Sequence, residues 1–89
     1  MLDCGYNDIA SLDISNNTAL IELQCSHNEL SVLDVSNNTA LTKLNTRTNN
    51  LTSLDLSNNL ALTELECSYN QLTSLDLNLS SIIKMQLTD

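Results

Sequence analysis

The sequence predicts a stacked-coil solenoid, β-rich and with little or no helix. Three observations carry this. The chain of 89 residues repeats itself at a fixed period of 21 over nearly its whole length. Apolar–polar–apolar triplets recur at fixed places in each period. The segments between them are rich in Ser, Asn and Thr, with one Gly and no Pro. Residues 9–29 read IASLDISNNTALIELQCSHNE, 30–50 read LSVLDVSNNTALTKLNTRTNN and 51–71 read LTSLDLSNNLALTELECSYNQ. The opening MLDCGYND aligns with the last third of a row and sets Cys4 with Cys25 and Asn7 with Asn28. The closing 72–89 fits after a one-residue deletion near Leu79–Ser81, which sets Met85 under Leu65 and Leu87 under Cys67. The expected organisation is one domain, 1–89: a partial coil 1–8, coils 9–29, 30–50 and 51–71, and an irregular last coil 72–89. In that last coil Leu79, Ile82, Ile83 and Met85 would form an improvised cap.

Each row splits into two halves, L-x-x-L-D-[IVL]-S-N-N-x-A and L-x-x-L-x-C-S-x-N-x. The second half contributes Leu23-Gln24-Cys25, Leu44-Asn45-Thr46 and Leu65-Glu66-Cys67, each reading as a half-buried strand. The first half contributes Leu12-Asp13-Ile14, Leu33-Asp34-Val35, Leu54-Asp55-Leu56 and Leu75-Asp76-Leu77. Such coils stack about 4.8 Å apart through parallel pairing. None can bury its apolar side alone, so stability is a nearest-neighbour sum over coils. Ser, Asn and Thr between the strands favour turns over helix interiors.

These motifs resemble the leucine-rich repeat superfamily. More narrowly, they are similar to the short 21-residue bacterial type with Cys-bearing nested half-repeats, found in internalin-like and Bacteroidetes surface proteins. The resemblance implies a right-handed solenoid with a parallel sheet on its concave face and short strands or turns opposite. It also implies a non-catalytic protein-interaction or adhesion module in a larger bacterial surface protein, with an unidentified protein bound on the concave face.

Composition narrows the classes independently. With 3 basic against 11 acidic residues, the charge of -8 argues against nucleic acid and anionic membranes as partners. There is no apolar run long enough for a membrane span and no signal-peptide pattern in this chain. An extracellular or cell-surface location is therefore implied by the resemblance alone. No nucleophile–base pair or phosphate-binding Gly loop is present, so no enzyme and no cofactor are expected.

Asn7, Asn28, Asn49 and Asn70 recur in one half, and Asn17, Asn38 and Asn59 in the other. Both sets are expected to turn inward and bond backbone groups left unpaired at the bends. Because Asn tolerates turn dihedrals, it is also expected to do the bending that Gly and Pro do elsewhere. Cys4, Cys25 and Cys67, with Thr46 between the last two, read as an inward column. A Cys4–Cys25 bridge between adjacent coils stays open. Asp13, Asp34, Asp55 and Asp76 form an outward column with two readings. Each carboxylate accepts hydrogen bonds from nearby Ser, Asn or turn amides, or the column holds cations such as calcium in a structural spacer. Ser15, Ser36 and Ser57 with Asn16, Asn37 and Asn58 form polar columns, which keeps an ice-binding solenoid as a minor alternative.

The Cys-bearing strands present the expected partner face. Its columns are Glu22, Lys43, Glu64 and Lys84; then Gln24, Asn45 and Glu66; then Ser26, Arg47 and Ser68; then Tyr6, His27, Thr48 and Tyr69. Alternating charges in the first column should pair across strands. The last gathers both tyrosines and the single histidine, and Tyr and Arg are enriched at binding hot spots. Open parallel edges at the ends keep edge-to-edge association, or a place inside a longer repeat protein, as further expectations.

Overall fold

The computed structural model describes residues 1–76 and 84–86. Leu79, Ile82, Ile83 and Leu87 lie outside the described residues, and Asp76, Lys84 and Met85 are placed by strand pairing alone. Seven short strands follow in chain order: β1 (Leu2–Asp3), β2 (Glu22–Gln24), β3 (Lys43–Asn45), β4 (Ser53–Asp55), β5 (Glu64–Glu66), β6 (Ser74–Asp76) and β7 (Lys84–Gln86). They form a five-stranded parallel sheet, β1-β2-β3-β5-β7, and a two-stranded parallel sheet, β4-β6. No helix occurs among the described residues.

Register follows the repeat. Leu2 pairs with Leu23, Leu23 with Leu44, Leu44 with Leu65 and Leu65 with Met85. Each β2-type strand begins at the residue before the inward Leu and closes before the Cys position. Its ladder continues past the strand end through Cys25 N to Asn45 O at 2.9 Å and Thr46 N to Glu66 O at 2.8 Å. Of the described first-half triplets, the segments at β4 and β6 pair as strands, whereas 12–14 and 33–35 form neither strand nor turn.

The inward positions of a coil are filled column by column. Leu30 and Leu51, Leu33 and Leu54, Ile14, Val35 and Leu56, Leu41 and Leu62, and Leu23, Leu44 and Leu65 are all buried. Each such aliphatic side chain contributes about 1.5–3 kcal/mol by leaving water. Cys25, Thr46 and Cys67 complete the column behind the sheet, each at most 1% exposed.

Two amide ladders close the coils. Asn49 donates from Nδ2 to Thr46 O on its own coil and to Cys25 O on the coil before, while its Oδ1 accepts from Leu30 N at 3.0 Å. Asn28 and Asn70 repeat this, with Ile9 N and Leu51 N as donors to their Oδ1. In the second ladder, Asn38 donates to Ile14 O and Asn17 O, and Asn59 to Val35 O and Asn38 O. Here Oδ1 of Asn38 and of Asn59 is buried with no hydrogen-bond partner. Two expected members depart from the ladders. Asn7 is exposed and bonds only its own turn, at Cys4 O and Gly5 O. Asn17 is exposed and its side chain joins no ladder bond.

The bends correct the sequence expectation. Among the described residues no asparagine takes a positive φ; Tyr6 (φ 59), His27 (57), Thr48 (58) and Tyr69 (58) do. The reversal falls on the residue before the ladder Asn, so that the Asn backbone stays regular and aims its amide inward. A left-handed conformation costs a residue with a Cβ about 1–2 kcal/mol. Opposite the sheet, two consecutive tight turns suffice, as in Asn38 N to Val35 O at 3.0 Å and Leu41 N to Asn38 O at 3.1 Å.

Replacing Asn49 by Ala strands the buried Leu30 amide, takes one of two amide donors from each of the Cys25 and Thr46 carbonyls, and should lower stability by about 1–3 kcal/mol. The same change at exposed Asn17 should be close to neutral. Urea unfolding of the two variants checks the contrast, and equal effects would contradict the ladder.

Candidate interaction surface

The outward side chains of the five-stranded sheet begin with Glu22, Lys43 and Glu64. Lys43 Nζ lies 3.9 Å from Glu22 Oε1, an exposed pair worth a few tenths of a kcal/mol. Among the described residues the second ion pair is Arg47 Nη1 to Glu66 Oε1 at 3.0 Å, so the alternating column pairs at Lys43–Glu22 and not at Lys43–Glu64. In register, Lys84 stands beside Glu64.

The next column, half-buried, has structural work. Gln24 Oε1 accepts from Ser26 N at 3.1 Å and Asn45 Oδ1 from Arg47 N at 3.0 Å; Asp3 Oδ1 accepts from Gly5 N at 3.1 Å. Each side chain thus holds the amide two residues on and turns the strand end. Glu66 instead reaches back a coil, taking Asn45 Nδ2 at 3.4 Å and the Arg47 guanidinium. Glu22, Gln24, Lys43, Asn45, Glu64 and Glu66, with Met1 at one end, line a shallow hollow over the sheet.

The third column differs from expectation. Ser26 and Ser68 are buried, at 5% and 2% exposure, because the chain is already turning inward there. Arg47 alone reaches out, and its Cζ sits 4.7 Å over the centroid of Tyr69. In the fourth column the Tyr6 and His27 rings stack at 4.1 Å and 10°. Thr48 is half-buried, Tyr69 is 52% exposed and Tyr6 76%. His27 Nδ1 is buried in this stack with no hydrogen-bond partner. The period of 21 places Tyr6 beside His27 and Arg47 beside Tyr69's coil, so the neighbours were visible in sequence; the ring stack and the cation's seat were not.

On the other flank, Asp13, Asp34 and Asp55 repeat one arrangement. The Oδ1 atom of each accepts from the hydroxyl of Ser15, Ser36 or Ser57 at 2.6 Å and from the same residue's amide at 2.9–3.0 Å. The serine hydroxyl first, then the amide, hold these carboxyls below their ordinary value. Among the described residues no group of three or more His, Cys, Asp or Glu is arranged to hold a metal ion. The serine hydroxyls of the polar columns are spent on these aspartates, and Asn37 Nδ2 bonds Ser15 O at 3.3 Å.

Cys4 and Cys25 carry unbridged thiols. Burial, then the Asp3 charge, raises Cys4; burial, then Cys4, pushes Cys25 up to about 12. Cys25 Sγ donates to Asn45 O at 3.4 Å, and Thr46 Oγ1 donates to Glu66 O at 3.5 Å from the same place one coil on. Thr46 therefore replaces a cysteine without breaking the contact.

Stacked coils with a shared core, parallel strands on two sides and paired surface charges define a repeat scaffold. No family model matches the chain, and no curated protein matches it. Among solved structures, the functional domain of InlJ from Listeria monocytogenes, described as including a cysteine ladder, is similar at TM-score 0.80 and 30% identity. That match covers 97% of this chain and 24% of the other, so the chain spans about a quarter of the length of the structure it matches. The chain folds as a leucine-rich repeat solenoid of the short, Cys-bearing type. Among the described residues no helix is long and apolar enough to cross a membrane.

Asp13, Asp34 and Asp55 of the outer column each have a depressed folded value. Their contribution to stability is therefore present above the ordinary value of 3.8 and is lost as the pH falls through the folded values. Replacing Ser15, Ser36 and Ser57 together by Ala should lower Tm at neutral pH and make its acid decline shallower. Circular-dichroism melts across pH read this; an unchanged acid limb would contradict the Asp–Ser pairs. Iodoacetamide in mild alkali should label Cys4 well before Cys25, since the thiolate is the reacting form. Mass spectrometry follows both, and equal rates would contradict the burial of Cys25.

Proposed function

We propose that the chain is a non-catalytic protein-interaction module with an adhesive role, displayed as a segment of a larger bacterial surface protein. Its partner face is the outer side of the five-stranded sheet with the stripe Tyr6, His27, Thr48 and Tyr69. The polar contacts are Glu22, Gln24, Lys43, Asn45, Arg47, Glu64 and Glu66. The similarity to the InlJ functional domain supports the class of function. The choice of surface rests on the left-handed column.

Glycine or asparagine would hold that backbone at lower cost. The sequence instead places two tyrosines, a histidine and, at Thr48, a threonine there, and leaves both phenols more than half exposed. A strained position filled by large exposed rings favours a use for the rings themselves. Tyr and Arg supply much contact area with few torsions to immobilise, and Arg47 is already seated over Tyr69.

The test is a capture experiment with the immobilised chain. The variant Arg47→Ala with Tyr69→Asn keeps a residue that tolerates φ 58 and should melt within a few degrees of wild type. It should release the proteins that the wild type retains. Equal retention by both, at equal Tm, would overturn the assignment of the stripe.

A further inference from the structure

His27 is held in one orientation. Its ring lies against Tyr6 at 4.1 Å and 10°, and its amide donates to Arg47 O at 2.8 Å. In that orientation Nδ1 is buried with no hydrogen-bond partner, whereas Nε2 is neither buried nor bonded. A neutral imidazole carries one proton, on one of its two nitrogens. Nδ1 lacks a partner either way, and an orphaned buried lone pair is tolerated more often than an orphaned buried N–H. The proton therefore sits on Nε2, and His27 turns a donor toward solvent.

Arg47, whose carbonyl accepts from the His27 amide, is a donor as well. Its Nη1 bonds Glu66 Oε1 at 3.0 Å and its Cζ lies 4.7 Å over the Tyr69 ring. Its Nε and Nη2 are not buried and have no partner among the described residues. Two neighbouring coils thus present outward N–H groups. We infer that His27 Nε2–H and the open N–H edge of Arg47 form a donor pair that takes main-chain carbonyl oxygens of a protein partner.

Charge selects a carbonyl over a carboxylate. Glu66 already answers the charge of Arg47, and the donating imidazole is neutral. A carboxylate would meet Glu66 beside the site and a chain of charge -8, and like charges brought together are costly. A carbonyl meets neither repulsion, and every extended protein segment carries a row of them. Tyr6 and Tyr69 hold the two donor planes before the partner arrives, so little side-chain freedom is lost on binding. That the partner is a protein rests on the interaction reading above; the tautomer of His27 and the preference for uncharged acceptors do not.

The test uses the 89-residue chain labelled with 15N, at about pH 8, where histidine side chains are ordinarily neutral. Long-range 1H–15N spectra of His27 should show a protonated Nε2 and a bare Nδ1; a proton on Nδ1 overturns the pair. N-acetylalanine methylamide should shift the side-chain resonances of His27 and Arg47 several-fold more than acetate at the same concentration. Equal or larger shifts with acetate overturn the choice of an uncharged acceptor. His27→Phe keeps a flat ring against Tyr6, which the Tyr6 ring shifts read, and should retain several-fold less of the protein that the wild type captures. Full retention at unchanged Tyr6 shifts overturns the pair, and the amide probe decides should this variant fail to fold. If capture through Arg47 and Tyr69 stands while the tautomer or the probe fails, the donor pair alone falls. If tautomer and probe hold while capture fails, the protein partner falls and the donor chemistry stands.

Discussion

The bridge that one asparagine amide makes between two coils is the constraint on which the rest depends. A coil this narrow cannot hide its backbone at the bends, and buried N–H and C=O groups left unpaired are costly. Asn49 answers for three of them at once: it donates to Thr46 and Cys25 carbonyls and accepts from the Leu30 amide. Since one of those carbonyls belongs to the coil before, closing a bend and stacking a coil become a single event. The leucine columns then fall into line, because the register of one coil is set by the amide of the next.

That coupling explains the partner face. With Asn fixed at its place, the residue before it must carry the reversal, and there the side chain leaves the core. Tyr6, His27, Thr48 and Tyr69 are displayed because the ladder next to them is not negotiable. The column immediately before the Cys position is constrained differently. Gln24 and Asn45 tie down the strand end with their own side chains, so their freedom to change is limited. Glu66 escapes that duty and holds Arg47, which is how one coil acquires a feature the others lack.

Periodicity made the solenoid legible, and it did so because burial in stacked coils is a property of columns. Leu23, Leu44 and Leu65 share one fate, as do Cys25, Thr46 and Cys67, and one fixed offset finds them all. What the period cannot carry is the sign of a dihedral. Asn was the reasonable candidate for the left-handed bend on propensity, and the requirement that its amide point inward moved the bend one residue earlier. Nor does alternation survive past the strand end, where Ser26 and Ser68 turn into the core beside an outward Arg47. The seat of Arg47 on Tyr69 joins residues 22 positions apart, and nothing in either coil by itself announces it.

The aspartates on the far flank give the molecule a direction. Asp13, Asp34 and Asp55 present fully exposed carboxylates that their serines keep ionised, one per coil. Every basic residue of the sequence, Lys43, Arg47 and Lys84, stands instead on or beside the five-stranded sheet. The sheet thus mixes both signs, with Asp3, Glu22, Glu64 and Glu66 among the cations, whereas the far flank carries aspartates without cations, and this uneven division gives the described residues an electric dipole from one flank to the other. Near an anionic wall or a cationic one, that dipole exerts a torque before any contact forms. The solenoid then arrives already turned, and longer arrays of such coils would turn more strongly, since each added coil puts more charge at the same separation.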